Sequence, residues 1–380
     1  MPNELDPDGM VKRLLEKLEQ RRSPNDPFNR VIDDLKAHIR AHPEAFAERD
    51  PAAHLGSYLR MVSDKLQATV AQRLGAPWLM EPENLVVNIE HDWRLNAAVQ
   101  ALPPYSLFVS FNLFLFCARF SELLVSGLGL DITGETDGAT IATAQPQLST
   151  AEISQRVKAA LDEFIAHRTI PATNLDLMSS HYTLQQIVVF SIMAFILGHE
   201  FGHVVINETR NRGDAPPFSD FAEQMLQSNF EGLLKSGRHD PENRTGLRDL
   251  TTSQSRQVFA NWVTEINADI LGASLAAEYQ RNQGPWKGGP QIVGWTYLSI
   301  HLCFIAQMFL YLYWNLQDPQ VPLISATHPP MDFRMHCLLQ WMYKGDRTSE
   351  KPVTEYSQEI LNGVIELAQR ERGRPRNLQG

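Results

Sequence analysis

Residues 192 to 203 read I-M-A-F-I-L-G-H-E-F-G-H, an apolar run with helical character that ends in the pattern H-E-x-x-H. Residues four apart lie on one face of an α-helix, so His199 and His203 can direct both imidazoles at a single ion. Glu200 lies beside them, where its carboxylate can act on a water molecule bound to that ion. Two neutral imidazoles suit zinc, and a zinc site with an open position supports hydrolysis.

The alternative is a solvated helix face that carries two histidines and a glutamate by chance. Residues 187 to 197 are almost wholly apolar, which indicates that this helix enters a hydrophobic core. Buried polar side chains need partners, and one bound metal ion would satisfy all three of them. The context therefore favours a metal site over a solvated face.

A third ligand is predicted in residues 261 to 273, which read N-W-V-T-E-I-N-A-D-I-L-G-A. Glu265 and Asp269 are again four apart, and Glu265 can bind zinc through a carboxylate oxygen. Asp269, one turn further on, can accept the free ring N–H of a ligating histidine. A pair of exposed helix acids is the alternative, but the apolar residues around both carboxylates predict partial burial. Two helices that each supply a polar pair on one face suit a site with two histidines and one glutamate.

These motifs resemble those of the zinc endopeptidases related to HtpX and the CaaX prenyl protease, a group of gluzincins. That family combines H-E-x-G-H with a downstream E-x-x-A-D, and the chain has H-E-F-G-H at 199–203 and E-I-N-A-D at 265–269. The family often continues with T-H-P-P-x-x-x-R, which residues 327–334 match as T-H-P-P-M-D-F-R. An N-A-containing strand and an extended apolar strand also precede the family's active-site helix. Here Asn96-Ala97-Ala98 and residues 106–111 resemble those two strands.

The resemblance implies a mainly α fold with a small β-sheet (α+β), in which a zincin-like metallopeptidase domain contains the active-site helix. It implies one Zn²⁺ per chain, held by His199, His203 and Glu265, with Glu200 as the general base that later acts as general acid. His328 is a candidate donor to the developing oxyanion, although a rigid turn before a helix explains H-P-P equally well. Arg334 could anchor this loop or a carboxylate.

Domain organisation follows the same motifs. Residues 1–80 are predicted to form a helical N-terminal region, because apolar stripes recur at helical spacing between proline breaks. Residues 81–345 are predicted to form the metallopeptidase domain, with a polar insertion at about 207–256. Residues 346–380 are predicted to contain a C-terminal helix and a disordered tail that begins near Glu366.

Several local elements are also predicted. Residues 85–89 and 107–111 are expected to be strands, and an exposed edge strand at 96–100 would let an extended peptide pair with it. Residues 131–149, rich in Gly, Thr and Ala, are expected to form a loop. Ser149 or Thr150 is expected to cap a helix that extends to about His167.

Composition favours a cytoplasmic enzyme. With 380 residues and 43% hydrophobic content, the chain can bury a sizeable core, and its net charge of −10 disfavours nucleic acid as a partner. The three cysteines are widely separated and show no C-x-x-C spacing, so no disulfide framework is expected. The first residues resemble neither a signal peptide nor an anchor. The expected partner is a protein or peptide substrate.

Residues 295–316 have no charged side chain and are long enough to cross a bilayer. Ser299, His301, Gln307 and Asn315 interrupt this segment, and its flanks lack basic asymmetry, so a buried core helix is preferred over a membrane segment. A membrane-anchored protease of the HtpX type is one alternative function. A non-catalytic regulatory module that keeps zinc is another, but such a module has no use for Glu200.

The expected biological setting is that of a regulated bacterial effector or stress protease. The phage-exclusion peptidase Lit is also an H-E-x-x-H protein, and this likeness suggests such a setting. A free cytoplasmic protease must be restrained, so a regulatory partner or trigger is expected.

Overall fold

The computed structural model describes residues 51–81, 83–90, 97–100, 103–110, 112–114, 116–117, 120, 130–133, 140–143, 149–167, 182–238, 247, 250–282, 290–317, 325–343 and 351–372. The predicted helical stripes before residue 51, Asn96 and the end of the tail after Arg372 lie outside this part of the chain.

The described part of the chain is mainly helical with a small β-sheet, which confirms the predicted α+β class. The helices are α1 (Pro51–Leu74), α2 (Thr150–His167), α3 (Tyr182–Asn211), α4 (Ser219–Gln227), α5 (Phe230–Arg238), α6 (Thr252–Asn282), α7 (Pro290–Gln317), α8 (Met331–Tyr343) and α9 (Lys351–Arg372), with a 3₁₀ turn at Pro77–Met80. The strands are β1 (Leu85–Glu90), β2 (Ala97–Val99), β3 (Tyr105–Ser110), β4 (Leu130–Thr133) and β5 (Thr140–Thr143).

The main sheet has the order β1-β3-β2. β1 runs parallel to β3, with Leu85 opposite Tyr105, and β2 runs antiparallel to β3, with Ala98 opposite Phe108. The strands predicted at 85–89 and 107–111 are present, although Phe111 lies outside the described residues. β2 forms an edge of this sheet, because no other described strand pairs with it.

The prediction of a loop at residues 131–149 is wrong in part. β4 and β5 form a two-stranded antiparallel sheet, with Leu130 opposite Thr143. The two strands read L-D-I-T and T-I-A-T, and β-branched threonine and isoleucine favour extended backbone. The glycine and alanine content of the segment concealed this local preference.

The N-terminus of α2 has the capping arrangement predicted from the sequence. The backbone N–H of Ser149 donates to Glu152 Oε2 at 2.9 Å, and the N–H of Glu152 donates to Ser149 Oγ at 3.3 Å. This reciprocal pair satisfies two donors that the first helical turn leaves without partners.

The C-terminal helix is longer than predicted. α9 continues through Arg372, so the disorder predicted from Glu366 onward is wrong for residues 366–372. Ile360, Val364 and Ala368 recur every four residues and are buried, which continues the apolar face past the expected end of the helix. The polar composition of the last turns reflects their exposed face alone.

Much of the predicted polar insertion is helical. α3 continues to Asn211, α4 and α5 follow, and α6 begins at Thr252. The ring of Phe230 packs edge-on against Trp262 of α6, with a distance of 5.5 Å between ring centroids. The division of the chain into domains stays a prediction.

The longest apolar helices form the centre of the fold. α3 packs along α6, and both also contact α7. The segments Ile187–Asn211 and Val293–Leu316 are long and apolar enough to cross a membrane, but their most apolar windows are 89% and 67% buried within the protein. A soluble core helix passes the same test of length and composition, so this finding is weak evidence about location.

Candidate metal centre

The metal centre depends on the close approach of α3 and α6. A Cβ atom on Gly272 would lie 2.8 Å from the backbone nitrogen of His199 and 3.0 Å from its Cα. A Cβ on Gly198 would lie 3.0 Å from the carbonyl oxygen of Gly272, and one on Gly202 would lie 3.1 Å from that of Ala268. Small residues on both helices therefore let the two backbones come almost into contact, with the polar pairs of each helix beside the crossing.

Three predicted ligands converge at this crossing. The Nε2 atoms of His199 and His203 are 3.2 Å apart, and Glu265 places Oε2 3.7 Å from His199 Nε2 and Oε1 3.5 Å from His203 Nε2. Ligand atoms about 2.1 Å from a tetrahedral ion are separated from one another by about 3.4 Å. The spacing of these three side chains therefore fits a single metal ion.

Burial supports the same assignment. Glu265 is 9% exposed, and its Oε2 atom is buried without a hydrogen bond from any described residue. The carboxylate oxygen is thus a buried acceptor without a partner, and the two Nε2 atoms beside it contact each other, at 3.2 Å. A cation between the three would satisfy the carboxylate and replace that contact. Burial, helped by the neighbouring charge of His199, lowers the pKa of His203 to about 4, which favours the neutral imidazole that binds metals.

Asp269 holds the first histidine in place. Its Oδ1 atom lies 2.9 Å from His199 Nδ1, so the opposite ring nitrogen of His199 faces Glu265. Arg334 donates twice to this carboxylate, from Nε to Oδ2 at 2.9 Å and from Nη2 to Oδ1 at 2.7 Å. Although burial alone would raise the pKa of Asp269, Arg334 and His199 lower it to about 2. The ionised carboxylate thus fixes the orientation of the ligating imidazole.

Glu200 lies next to the ligands but is not one of them. Its side chain is 3% exposed, and Oε1 lies 4.0 Å from His199 Nε2. Burial, and to a smaller degree the negative charge of Glu265, raises the pKa of Glu200 to about 7. A carboxyl group with this pKa can both accept and release a proton near neutral pH.

His328 is at the rim of the site. Its Nε2 atom lies 3.4 Å from Glu265 Oε2, and 53% of its side chain is exposed. The loop before it is fixed, because Ser325 Oγ accepts the backbone N–H of His328 and Trp262 Nε1 donates to the Ser325 carbonyl oxygen. Thr327 Oγ1 lies 2.8 Å from His328 Nδ1. This arrangement accommodates both predicted roles, a rigid turn and a side chain that faces the site.

A cavity of about 920 Å³ opens beside these residues and is lined by His199, Glu200 and His328. Ala97 of the edge strand β2 also lines it. Ala98 is exposed and does not line the cavity, because successive strand residues point to opposite faces. The three predicted substrate-binding residues are therefore separated: Ala97 lines the cavity, Ala98 does not, and Asn96 lies outside the described residues.

Two features of the site were missed in the sequence. Small residues lie four positions apart on each helix, at Gly198 and Gly202 of α3 and at Ala268 and Gly272 of α6. This spacing could have predicted the close approach of the two helices. α7 and α9 also line the cavity, through residues such as Met308 and Leu361. Their position beside the site had no such signal, because these residues lie outside the two metal-binding motifs.

Comparison with known proteins adds no relative: no family model matches the chain, and neither the curated proteins nor the solved structures include a significant match. The functional interpretation therefore depends on the chemistry of the site.

Replacing Glu265 by alanine tests the ligand set. We expect Glu265→Ala to lower metal affinity at least tenfold and to lower the melting temperature of the metal-loaded protein, because metal binding contributes to folding stability. Metal content after dialysis and thermal unfolding measure the two effects. Glu223→Ala, the same change at an exposed position of α4, is the control. A Glu265→Ala protein that keeps one tightly bound ion would show that Glu265 is not a ligand.

Proposed function

We propose that this protein is a zinc-dependent endopeptidase that hydrolyses peptide bonds. The observation that carries the proposal is the buried Glu200 beside three convergent candidate ligands, at a cavity that both Glu200 and His199 line. Two imidazoles and one carboxylate are a ligand set that zinc favours in hydrolytic enzymes, and a fourth position stays open for water. When bound, zinc would lower the pKa of water and polarise the substrate carbonyl group.

Glu200 supplies the proton transfers. Its carboxylate accepts a proton from the water that attacks the carbonyl carbon, and the carboxylic acid then donates this proton to the departing amine. Burial raises the pKa of Glu200, which makes its carboxylate a better proton acceptor than an exposed glutamate. The burial that raises this pKa therefore serves the reaction.

Residues that contact the candidate ligands orient the ligands and the substrate. Asp269 and Arg334 hold His199 in one orientation, with its Nε2 atom directed at Glu265, where it could bind an ion. His328 has an exposed side chain near Glu265 and can donate a hydrogen bond to the negative charge that develops on the carbonyl oxygen. Partial desolvation at the rim of the cavity lowers the pKa of His328, which favours the neutral ring as the donor.

The edge strand β2 supports binding of an extended peptide. Among the described strands only β3 pairs with it, and Ala97 lines the cavity that Glu200 also lines. A substrate strand that pairs with β2 would bring its backbone past the metal ligands with little dependence on side-chain sequence. This mode favours cleavage within a chain.

Cytoplasmic location and restraint by a regulatory partner or trigger belong to the same proposal. The three cysteines, Cys117, Cys303 and Cys337, are free and buried, which is compatible with a reducing compartment. Location in a membrane is the second candidate, prompted by the apolar lengths of α3 and α7.

Cleavage of a proteome tests the proposal directly. We expect the zinc-loaded protein to create new N-termini in a cell lysate, because an endopeptidase cuts within chains. The new N-termini should disappear after a chelator removes the metal and return when zinc is restored. Chemical labelling of N-termini followed by mass spectrometry measures the result. A zinc-loaded protein that yields no new N-termini above those of the chelated sample would contradict the proposal.

A further inference from the structure

α7 has two kinds of apolar surface. Along its central turns, residues 300–306 are buried, as are Phe309, Leu310 and Tyr313. Gln307, Met308, Tyr311 and Leu312 are partly exposed instead, and all four line the cavity beside the metal centre. These residues recur at the spacing of one helix face, so the face of α7 that is not packed in the core is directed at the cavity.

Other helices continue this apolar wall. Phe195 is one turn before His199 on α3, and Phe304 is one turn before Met308 on α7. Their rings pack together, with centroids 5.5 Å apart. Leu361 of α9 is 5% exposed and lines the same cavity. Side chains from three helices therefore enclose an apolar region that is continuous with the catalytic residues.

We propose that this apolar region is a substrate pocket that accepts a large apolar side chain, of the leucine or phenylalanine type, from the residue beside the scissile bond. The proposal rests on the proposed function, because it concerns the same cavity. For convenience we call the region formed by Phe195, Phe304, Met308, Tyr311, Leu312 and Leu361 the apolar pocket.

The arrangement of charge within the cavity supports this assignment. None of the six side chains of the apolar pocket is charged, although Glu200, Asp269, Asp332 and Arg334 line other parts of the same cavity. The guanidinium of Arg334 lies 5.7 Å from the ring centroid of Phe304 and is paired with Asp269. An apolar side chain that enters the pocket removes apolar surface from water on both partners, which favours binding. A charged side chain would lose its hydration there, and the neighbouring guanidinium of Arg334 is already bound to Asp269.

The pocket also explains why α7 resembles a membrane segment in sequence. A helix that is apolar on all sides must be buried by protein, by lipid or by a ligand. Here about two thirds of the most apolar window of α7 is buried within the protein (67%), and the partly exposed residues of its central turns line the cavity. Because this face lies beside the metal centre, the side chain of a bound substrate could cover it.

Binding of two peptidyl hydroxamates to the zinc-loaded full-length protein tests the proposal. The two compounds carry the same metal-binding group and differ only in a leucine or a glycine side chain next to it. We expect the leucine compound to bind roughly tenfold to a hundredfold more tightly, as burial of a side chain of that size predicts. Isothermal titration calorimetry measures both dissociation constants without depending on turnover.

Two variants locate the preference within the cavity. Met308→Gln keeps the length of the side chain but adds a polar amide, and it should reduce the leucine-to-glycine ratio about fivefold at unchanged zinc content. Leu361→Ala should enlarge the pocket and favour a tryptophan compound over the leucine compound. Met80→Gln and Val364→Ala are the matched controls, because neither residue lines the cavity, and both should leave the ratios unchanged.

The possible failures are distinguishable. Equal binding of the leucine and glycine compounds would overturn the apolar pocket and leave the proposed function intact. A preference that neither Met308→Gln nor Leu361→Ala alters would overturn its location. A zinc-loaded protein that binds neither hydroxamate would have no open metal position, which contradicts the proposed function itself. Sedimentation with phosphatidylcholine vesicles that Met308→Gln abolishes would assign this face to lipid and also overturn the proposal.

Discussion

Replacement of Glu200 by glutamine is expected to abolish nearly all peptide cleavage while the protein keeps its zinc. Glutamine has almost the same shape as glutamate but cannot accept and return the proton, and general acid–base catalysis contributes typically about 10²–10⁴-fold. Because Glu200 lies outside the group of three residues that could hold an ion, we expect metal content to stay at one zinc per chain. The measurements are the cleavage rate of a peptide identified from the lysate experiment and the metal content of both proteins.

Glu208→Gln is the matched control for this prediction. Glu208 is buried on the same helix and accepts a hydrogen bond from Tyr105 Oη at 2.6 Å. The amide oxygen of glutamine can accept the same bond, so this variant should retain most of its activity. If Glu200→Gln cleaves as fast as Glu208→Gln, Glu200 is not the general base.

Replacement of Gly272 by valine is expected to weaken zinc binding more than tenfold and to destabilise the fold by about 3 kcal/mol. The first added carbon would lie 2.8 Å from the backbone nitrogen of His199, and no rotation of the side chain relieves a contact between Cβ and a backbone. α3 and α6 must therefore separate. Since each helix supplies part of the ligand set, their separation moves Glu265 away from both histidines.

Gly232→Val is the control, because a Cβ on Gly232 of α5 would meet no atom within 4 Å. Valine and glycine differ little in helix propensity, so the control should be nearly neutral. Chemical unfolding of the metal-free proteins gives the stability change, and competition with a chelator gives the zinc affinity. Wild-type affinity in Gly272→Val would show that the centre tolerates a wider spacing of the helices.

Local patterns made several parts of this protein predictable. The spacing of His199 and His203 places both on one helix face, and the apolar residues before them require burial of that helix. The same period relates Glu265 to Asp269. The strands at 85–89 and 107–111 and the cap at Ser149 were predictable for a similar reason, since each depends on residues that are close together in the chain.

Two predictions that relied on average composition were wrong, because the spacing of particular residues favoured a strand or a helix instead. The segment at 130–143 contains enough threonine and isoleucine for a hairpin despite its glycine and alanine content. α9 continues past Glu366 because a buried stripe, which ends at Ala368, extends under a polar surface. In both cases the periodic positions of a few residues mattered more than the average character of the segment.

Which side chains share a helix face could be predicted without coordinates, because that relation depends only on the period of the α-helix. The tertiary structure decided that these faces meet, through small residues at 198, 202, 268 and 272 that admit another backbone. It also decided that Arg334 binds Asp269 and that α7 and α9 form the apolar wall of the cavity. Such contacts join residues far apart in the chain, and they arise from the packing of whole helices, which no local period specifies.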